Sequence, residues 1–340
     1  MTLSGKEIRQ LGRLFMIGLP GYTLDASTQK LIEQVGINNF IIFKRNVSSR
    51  EQLAELCAAL VSACRAQGLA LPLIAIDQEG GTVARLPPPF TQFAGARVMA
   101  DSAQPEQRLA EYARCCAGEL RDVGISMNLA PVLDVSPAGQ GLFMEKRALG
   151  GEAGVVARLG SLVIKVLQEE GVAACAKHFP GLGAAVLDPH LKLPVVERSR
   201  AEILACDLEP FRAAVVAGVA SFMTSHTIYK GLDPGTIATL SPTILTKLLR
   251  QELGYDGLVI TDDLEMGAIE NAMSVPEAAC AAFMAGVDLL LICHDHDKVV
   301  RSHERLVAEV DAGVVSRQRL EQSLYRIGRV VDRFVARASA

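Results

Sequence analysis

The chain has 340 residues, half of them hydrophobic and 21% charged, with a formal net charge of −4. That balance excludes disorder, collagen and coiled coil, and an acidic chain without a basic stripe argues against nucleic acid as a partner. There is no Trp, and the aromatics are 11 Phe and 5 Tyr.

The N-terminal stretch 1–15 scatters Lys6, Arg9 and Arg13 among its apolar residues. It has neither the apolar core nor the cleavage site of a leader, and no later apolar run reaches the ~18 residues of a membrane span. Eight cysteines, at 57, 64, 115, 116, 175, 206, 280 and 293, form no CxxC pair. A chain with this much apolar material does not need a disulfide framework, so buried free thiols are expected. These features predict a cytoplasmic protein with no membrane association.

Short apolar runs recur along the chain: 14–19, 39–44, 73–78, 127–134, 173–179, 221–226, 258–263 and 289–294. None alternates cleanly, which is how a strand buried on both faces reads. Amphipathic stretches with helical spacing lie between them, at 50–67, 105–123, 154–170, 200–216, 242–253 and 276–285. Gly36, Gly124, Gly171, Gly218, Gly254 and Gly286 each stand just before a predicted strand, where a helix C-terminus favours glycine.

Repeated β-α alternation predicts an α/β protein with a parallel sheet, and eight units predict closure into a single (β/α)8 TIM-type barrel. The barrel is expected to occupy residues 1–340, with a core at about 11–297, irregular first strands, and a helical tail at 298–340 that closes it. A doubly wound open sheet is the alternative. Its signature glycine-rich turn is missing, because Gly18–Gly21 reads GLPG rather than GxGxxG.

Seven of the predicted strands end in titratable side chains. These include Lys44 and Arg45, Asp77 and Glu79, Asp134, Lys177 and His178, His226, Asp262 and Asp263, and His294 to His296. In a barrel these ends converge on one mouth, which marks it as an active site. Several chemistries could use such a set. His294 and His296 are the best local metal candidates, and Gly80-Gly81 could cradle a phosphate. A serine triad lacks its GxSxG elbow. Glycoside hydrolysis needs a nucleophilic carboxylate, which Asp262 or Asp263 could supply, and a proton donor that the residues alone do not reveal.

The motifs Ile76–Gly81 (IDQEGG) with Arg85, Lys177–Gly181 (KHFPG) and Ile260–Leu264 (ITDDL) resemble glycoside hydrolase family 3. Supporting stretches are Leu14–Gly18, Phe43–Asn46, Ala130–Asp134, Met223–His226 and Gln251–Gly257. The likeness is narrowest to single-domain bacterial β-N-acetylglucosaminidases of peptidoglycan recycling.

That resemblance implies a retaining mechanism with Asp262 as nucleophile and Asp263 as its support. It implies His190 as acid/base, oriented by Asp188, on the loop after the fifth strand. Asp77, Arg85, Arg147, Lys177, His178 and His226 are implied to bind the sugar. No metal and no cofactor are expected. The partner is a small carbohydrate or muropeptide, and a monomer is favoured.

Pro189 separates Asp188 from His190, so a tight bend must bring carboxylate and imidazole together. The chain departs from the family pattern at Leu182, where His is usual, and at Pro189 and Glu265, where small residues are usual. Thr82 stands where Arg is frequent. Two other outcomes stay open: a family-3 glycosidase of different specificity, and a catalytically weak sugar-binding barrel. The scarcity of aromatics points to a small pocket for one terminal sugar rather than a long polysaccharide cleft.

Overall fold

The computed structural model describes residues 3–336. Eight parallel strands lie where the apolar runs predict them. They are β1 (Phe15–Gly18), β2 (Asn39–Ile42), β3 (Leu73–Ile76), β4 (Met127–Asn128), β5 (Ala173–Phe179), β6 (Ser221–Thr224), β7 (Leu258–Ile260) and β8 (Leu290–Ile292). Every residue in them is buried, which explains the lack of alternation.

The sheet order is β7-β6-β5-β4-β3-β2-β1-β8. A parallel bridge between Ile260 and Leu289 joins its two ends. There the amides of Asp288 and Leu289 donate to the Val259 carbonyl, and the Thr261 amide donates to the Leu289 carbonyl. The barrel is therefore closed strand to strand, and the open-sheet alternative falls.

The irregularity anticipated for the first strands lies elsewhere. β1, β2 and β3 pair in continuous register, whereas β4 has two residues and the β5–β6 pairing shifts register between Ala176 and Phe179. The helices Arg50–Ala66, Pro105–Asp122, Ala153–Glu169 and Val275–Ala285 match expectation closely. The helix expected over 200–216 is interrupted. A wide turn at Ile203–Asp207 separates Arg200–Glu202 from Glu209–Val216. Pro210 has no amide to continue the ladder, so the chain restarts its helix there. All six glycines expected at helix ends have positive φ, a conformation that a side chain would oppose.

The C-terminal helices His296–Asp311 and Arg317–Val331 join the main buried cluster through Val299, Leu306, Leu320 and Ile327. Fully buried Asp288, just before β8, ties this tail to the barrel through Arg319 and Arg326, and also holds Arg250. The last residues of the expected tail, 337–340, lie outside the described residues. Six of the eight cysteines are buried as anticipated, but Cys115 is exposed and Cys206 half-buried.

A small sheet outside the barrel was not anticipated. Val195–Val196 pairs with Ile228–Tyr229, which pairs with Asp233–Ile237. It fastens the end of the loop after β5 to the loop after β6. Among the described residues no helix is long and apolar enough to cross a membrane.

Candidate active site

The loop after β3 builds the first part of the site. Gly80 and Gly81 have φ of 92° and 59°, and a Cβ on them would strike the Ala94 carbonyl and the Gly95 Cα. This glycine turn lets the chain fold back until Arg85 Nη2 reaches Asp77 Oδ2 at 3.1 Å. The Gln78 side-chain oxygen holds the return by accepting from the amides of Arg85 and Leu86.

Lys177, near the end of β5, reaches across the barrel mouth. Its Nζ lies 2.7 Å from Asp77 Oδ1 and 2.7 Å from Glu79 Oε1. Arg147 completes the cluster by gripping Glu79 with two nitrogens, at 2.7 and 3.0 Å. Burial alone would raise both carboxyl pKa values. The Lys177 charge, helped by Arg85, instead holds Asp77 well below the usual carboxylate range. For Glu79 burial is likewise outweighed, here by Lys177 and Arg147, which bring it down to about 2. Burial opposes the charge on Lys177, yet Asp77 and Glu79 hold its pKa above the ordinary value. Each ion of this cluster is paired, as buried charges must be.

His178 comes next in β5. Fully buried Asp134, after β4, accepts from His178 Nδ1 at 2.8 Å, from its amide at 3.2 Å and from the Leu182 amide at 2.6 Å. This fixes the imidazole with Nε2 at 4.0 Å from Asp262 Oδ2. The Leu182 departure leaves the backbone contact intact, because the amide and not the side chain makes it.

Asp262 follows β7. The amide of Asp263 donates to its Oδ1 at 2.9 Å, and its side chain is 22% exposed. The Asp263 carboxyl is pushed up to about 7. Burial is the main cause, the charges of Glu265 and Asp262 add to it, and the Glu265 amide opposes it. Glu265 braces this loop against β8 by accepting from the amides of His294 and Asp295 and from Lys298 Nζ. His294 contacts Asp263 and Arg45, whereas His296 binds Ser27 and the Gly18 carbonyl, so the two rings point to different partners. No group of three or more potential metal ligands gathers among the described residues.

The loop after β5 carries Asp188 and His190. A turn in which the amides of Leu191 and Lys192 donate to the Asp188 carbonyl supplies the required bend. Asp188 Oδ1 accepts from the His190 amide at 2.9 Å and from His190 Nδ1 at 2.7 Å. Asp188, when ionised, is acceptor-only, so Nδ1 carries the proton of this bond and Nε2 is left free. The loop docks on the segment that follows Asp262. The Gly267 amide donates to the His190 carbonyl, and the Ala268 amide donates to the Pro189 carbonyl, both at 3.1 Å. The dyad stays open to solvent, with the His190 side chain 60% exposed.

A sequence profile described as "Glycosyl hydrolase family 3 N terminal domain" matches residues 6–330. The chain belongs to glycoside hydrolase family 3. It is similar to a β-hexosaminidase of Stenotrophomonas maltophilia (strain K279a), 35% identical over 291 residues and covering 83% of each chain. A β-hexosaminidase of Nitrosomonas eutropha is 32% identical over 330 residues, covering 94% of this chain and 93% of the relative. Among solved structures, a family-3 β-N-acetylglucosaminidase from Paenibacillus sp. matches with a TM-score of 0.94 at 36% identity. That match covers 100% of this chain, which spans 64% of the Paenibacillus chain. A β-N-acetylhexosaminidase from Beutenbergia cavernae matches with a TM-score of 0.88 at 28% identity, covering 99% of both.

This chain is thus a glycoside hydrolase, and its family-3 barrel brings Asp77, Arg85, Arg147, Lys177 and His178 into one cluster that leads to Asp262. His226 is buried just beyond the end of β6. Its Nδ1 lies 2.7 Å from Thr239 Oγ1 and its Nε2 lies 3.0 Å from the Asp263 carbonyl. Glu79 and Asp134 were counted among the strand-end residues of the mouth but given no role, and Glu265 was not placed in the site at all. Glu79 and Asp134 lay inside or at the end of recognised motifs, and their burial inside an apolar barrel was the signal available. Glu265 showed only as a departure from the family pattern.

Proposed function

We propose that this glycoside hydrolase is an exo-acting, retaining β-N-acetylglucosaminidase that removes terminal N-acetylglucosamine from muropeptides or other small glycans. One observation carries the reading. The Asp188–His190 pair is already joined at 2.7 Å, on a loop docked to the segment that follows Asp262.

In the first step Asp262 attacks the anomeric carbon as the bond to the leaving oxygen breaks, and His190 Nε2 gives that oxygen a proton. In the second step His190 takes a proton from water, the water oxygen bonds the anomeric carbon, and the Asp262 ester bond breaks. Asp188 keeps the imidazole oriented and stabilises its cation before the first step and after the second, the ring being neutral in the intermediate between them. Asp77, Arg85, Lys177, His178 and Arg147 hold the sugar. Arg85 Nε, buried without a hydrogen-bond partner among the described residues, is a donor ready for a hydroxyl.

The barrel alone then carries the full activity, because the acid/base comes from its own loop. The names of the similar β-hexosaminidases support the sugar specificity. Eight free cysteines support a reducing, cytoplasmic setting. The test is hydrolysis of an aryl β-N-acetylglucosaminide by purified protein, followed by product analysis on a defined muropeptide. Release of free N-acetylglucosamine with retained β-configuration supports the reading. Faster cleavage of aryl β-glucosides, or sugar binding without turnover, contradicts it.

A further inference from the structure

Residue 263 is gripped from several sides. Its amide donates to Asp262 Oδ1, its carbonyl accepts from His226, and its carboxylate accepts the Glu265 amide at 3.1 Å and lies 3.5 Å from His294 Nε2. The amide and the carbonyl belong to successive peptide planes that share the Asp263 Cα. Fixing the carbonyl therefore limits rotation at that residue and steadies the N–H that touches Asp262.

We infer that His226 is a positioning residue: from the end of β6 it locks the Asp263 backbone, whose N–H in turn holds the Asp262 carboxylate in its attacking orientation. The inference rests on Asp262 being the nucleophile. A carbonyl only accepts, so Nε2 must carry the proton of the His226–Asp263 bond. In a neutral ring Nδ1 is then an acceptor; the Thr239 hydroxyl stands 2.7 Å from it and 3.0 Å from the Ser225 carbonyl, and its single proton goes to the shorter contact, Nδ1. Thr239 Oγ1 lies in turn 2.8 Å from Thr224 Oγ1. All three side chains are buried, and burial favours the neutral imidazole by lowering its pKa. Neither ring nitrogen is free for a sugar hydroxyl. An imidazole engaged on both sides in a dry environment changes orientation only by breaking two bonds, which suits it to hold a backbone still.

The two ends of the ring can be separated by substitution. In His226→Gln the amide nitrogen reaches the former Nε2 position, whereas in His226→Asn it stops near Nδ1 and serves only Thr239. The expected result is that Gln keeps kcat within about fivefold. Asn should lose roughly 30-fold in kcat with KM within about twofold, because a small misplacement of a reacting group costs up to about 10²-fold. The rate at which an activated fluorinated N-acetylglucosaminide labels Asp262, read by mass spectrometry, should fall in parallel. Thr239→Val offers a second route, since it frees Nδ1 and should lower kcat in the same direction at unchanged KM.

Equal kcat for the Gln and Asn variants, or a loss that appears in KM, would overturn the inference. Asp262→Ala separates the two layers. If that variant keeps activity, the nucleophile assignment fails. If it is inactive while His226→Asn and Thr239→Val keep full kcat, only the role of His226 fails.

Discussion

The two halves of the site are built on opposite physical terms. Around Asp77, Glu79, Lys177 and Arg147 the charges are buried, mutually neutralising and bonded before any ligand arrives. Around Asp188 and His190 a single hydrogen-bonded pair sits on an exposed loop, held to the barrel chiefly by backbone bonds. The buried half cannot rearrange without leaving a charge unpaired, so it is fitted to recognise one fixed shape. The exposed half can move at little cost, which under the proposed mechanism suits it to transfer protons to varied leaving groups. Asp262 stands at the border of the two, touched by the backbone of one loop and approached by His178 from the other side.

Four substitutions sharpen or break this contrast. Asp262→Ala removes the group on which both halves converge, and kcat should fall on the order of 10³-fold or more with the barrel still folded. Steady-state kinetics alongside circular dichroism would show it. His190→Ala should lower turnover of poorly activated substrates by roughly 10²–10³-fold. Its Tm should stay within about 1 °C, because an exposed side-chain pair contributes little to stability. Lys177→Met should do the reverse to stability. It leaves Asp77 and Glu79 facing each other without their shared cation, at a cost of roughly 3–5 kcal/mol, or a Tm lowered by roughly 5 °C. A Tm as robust as that of His190→Ala would erase the distinction between the halves.

The smallest effect concerns pH. Glu79 is held at about 2 against an ordinary 4.5, so its contribution to stability is complete above 4.5 and is lost as pH falls toward 2. Glu79→Gln should therefore be less stable than the parent at pH 7. The gap, on the order of a few kcal/mol, should narrow steadily below pH 4.5 in urea titrations. A gap independent of pH would mean that the carboxylate charge is not what stabilises this cluster.

Much of this contrast is legible in the amino-acid sequence. β1 to β8 announced themselves because every residue in them is buried, and the polar strand ends announced the mouth. The Asp188–His190 pair was named from its motif, but Pro189 left its geometry open until the turn at 188–192 supplied the bend. Other features were out of reach for physical reasons. The two-residue strands at 195–196 and 228–229 are too short to impose a period. The pairing of Glu79 with Arg147 and of Asp134 with His178 depends on loops meeting across the barrel, which spacing along the chain does not encode. His226 shows the same limit, since a histidine at a strand end reads alike whether it faces a sugar or a backbone carbonyl.

The leaving-group dependence of His190→Ala tests the division of labour most directly. Hydrolysis of a series of aryl β-N-acetylglucosaminides spanning several units of phenol pKa would be compared between the parent and the variant. Proton donation from the exposed loop requires the variant to cleave the most acidic phenols nearly as fast as the parent and to fall progressively behind as the phenol pKa rises. A uniform loss across the series would contradict it, because His190 would then be acting on something other than the departing oxygen.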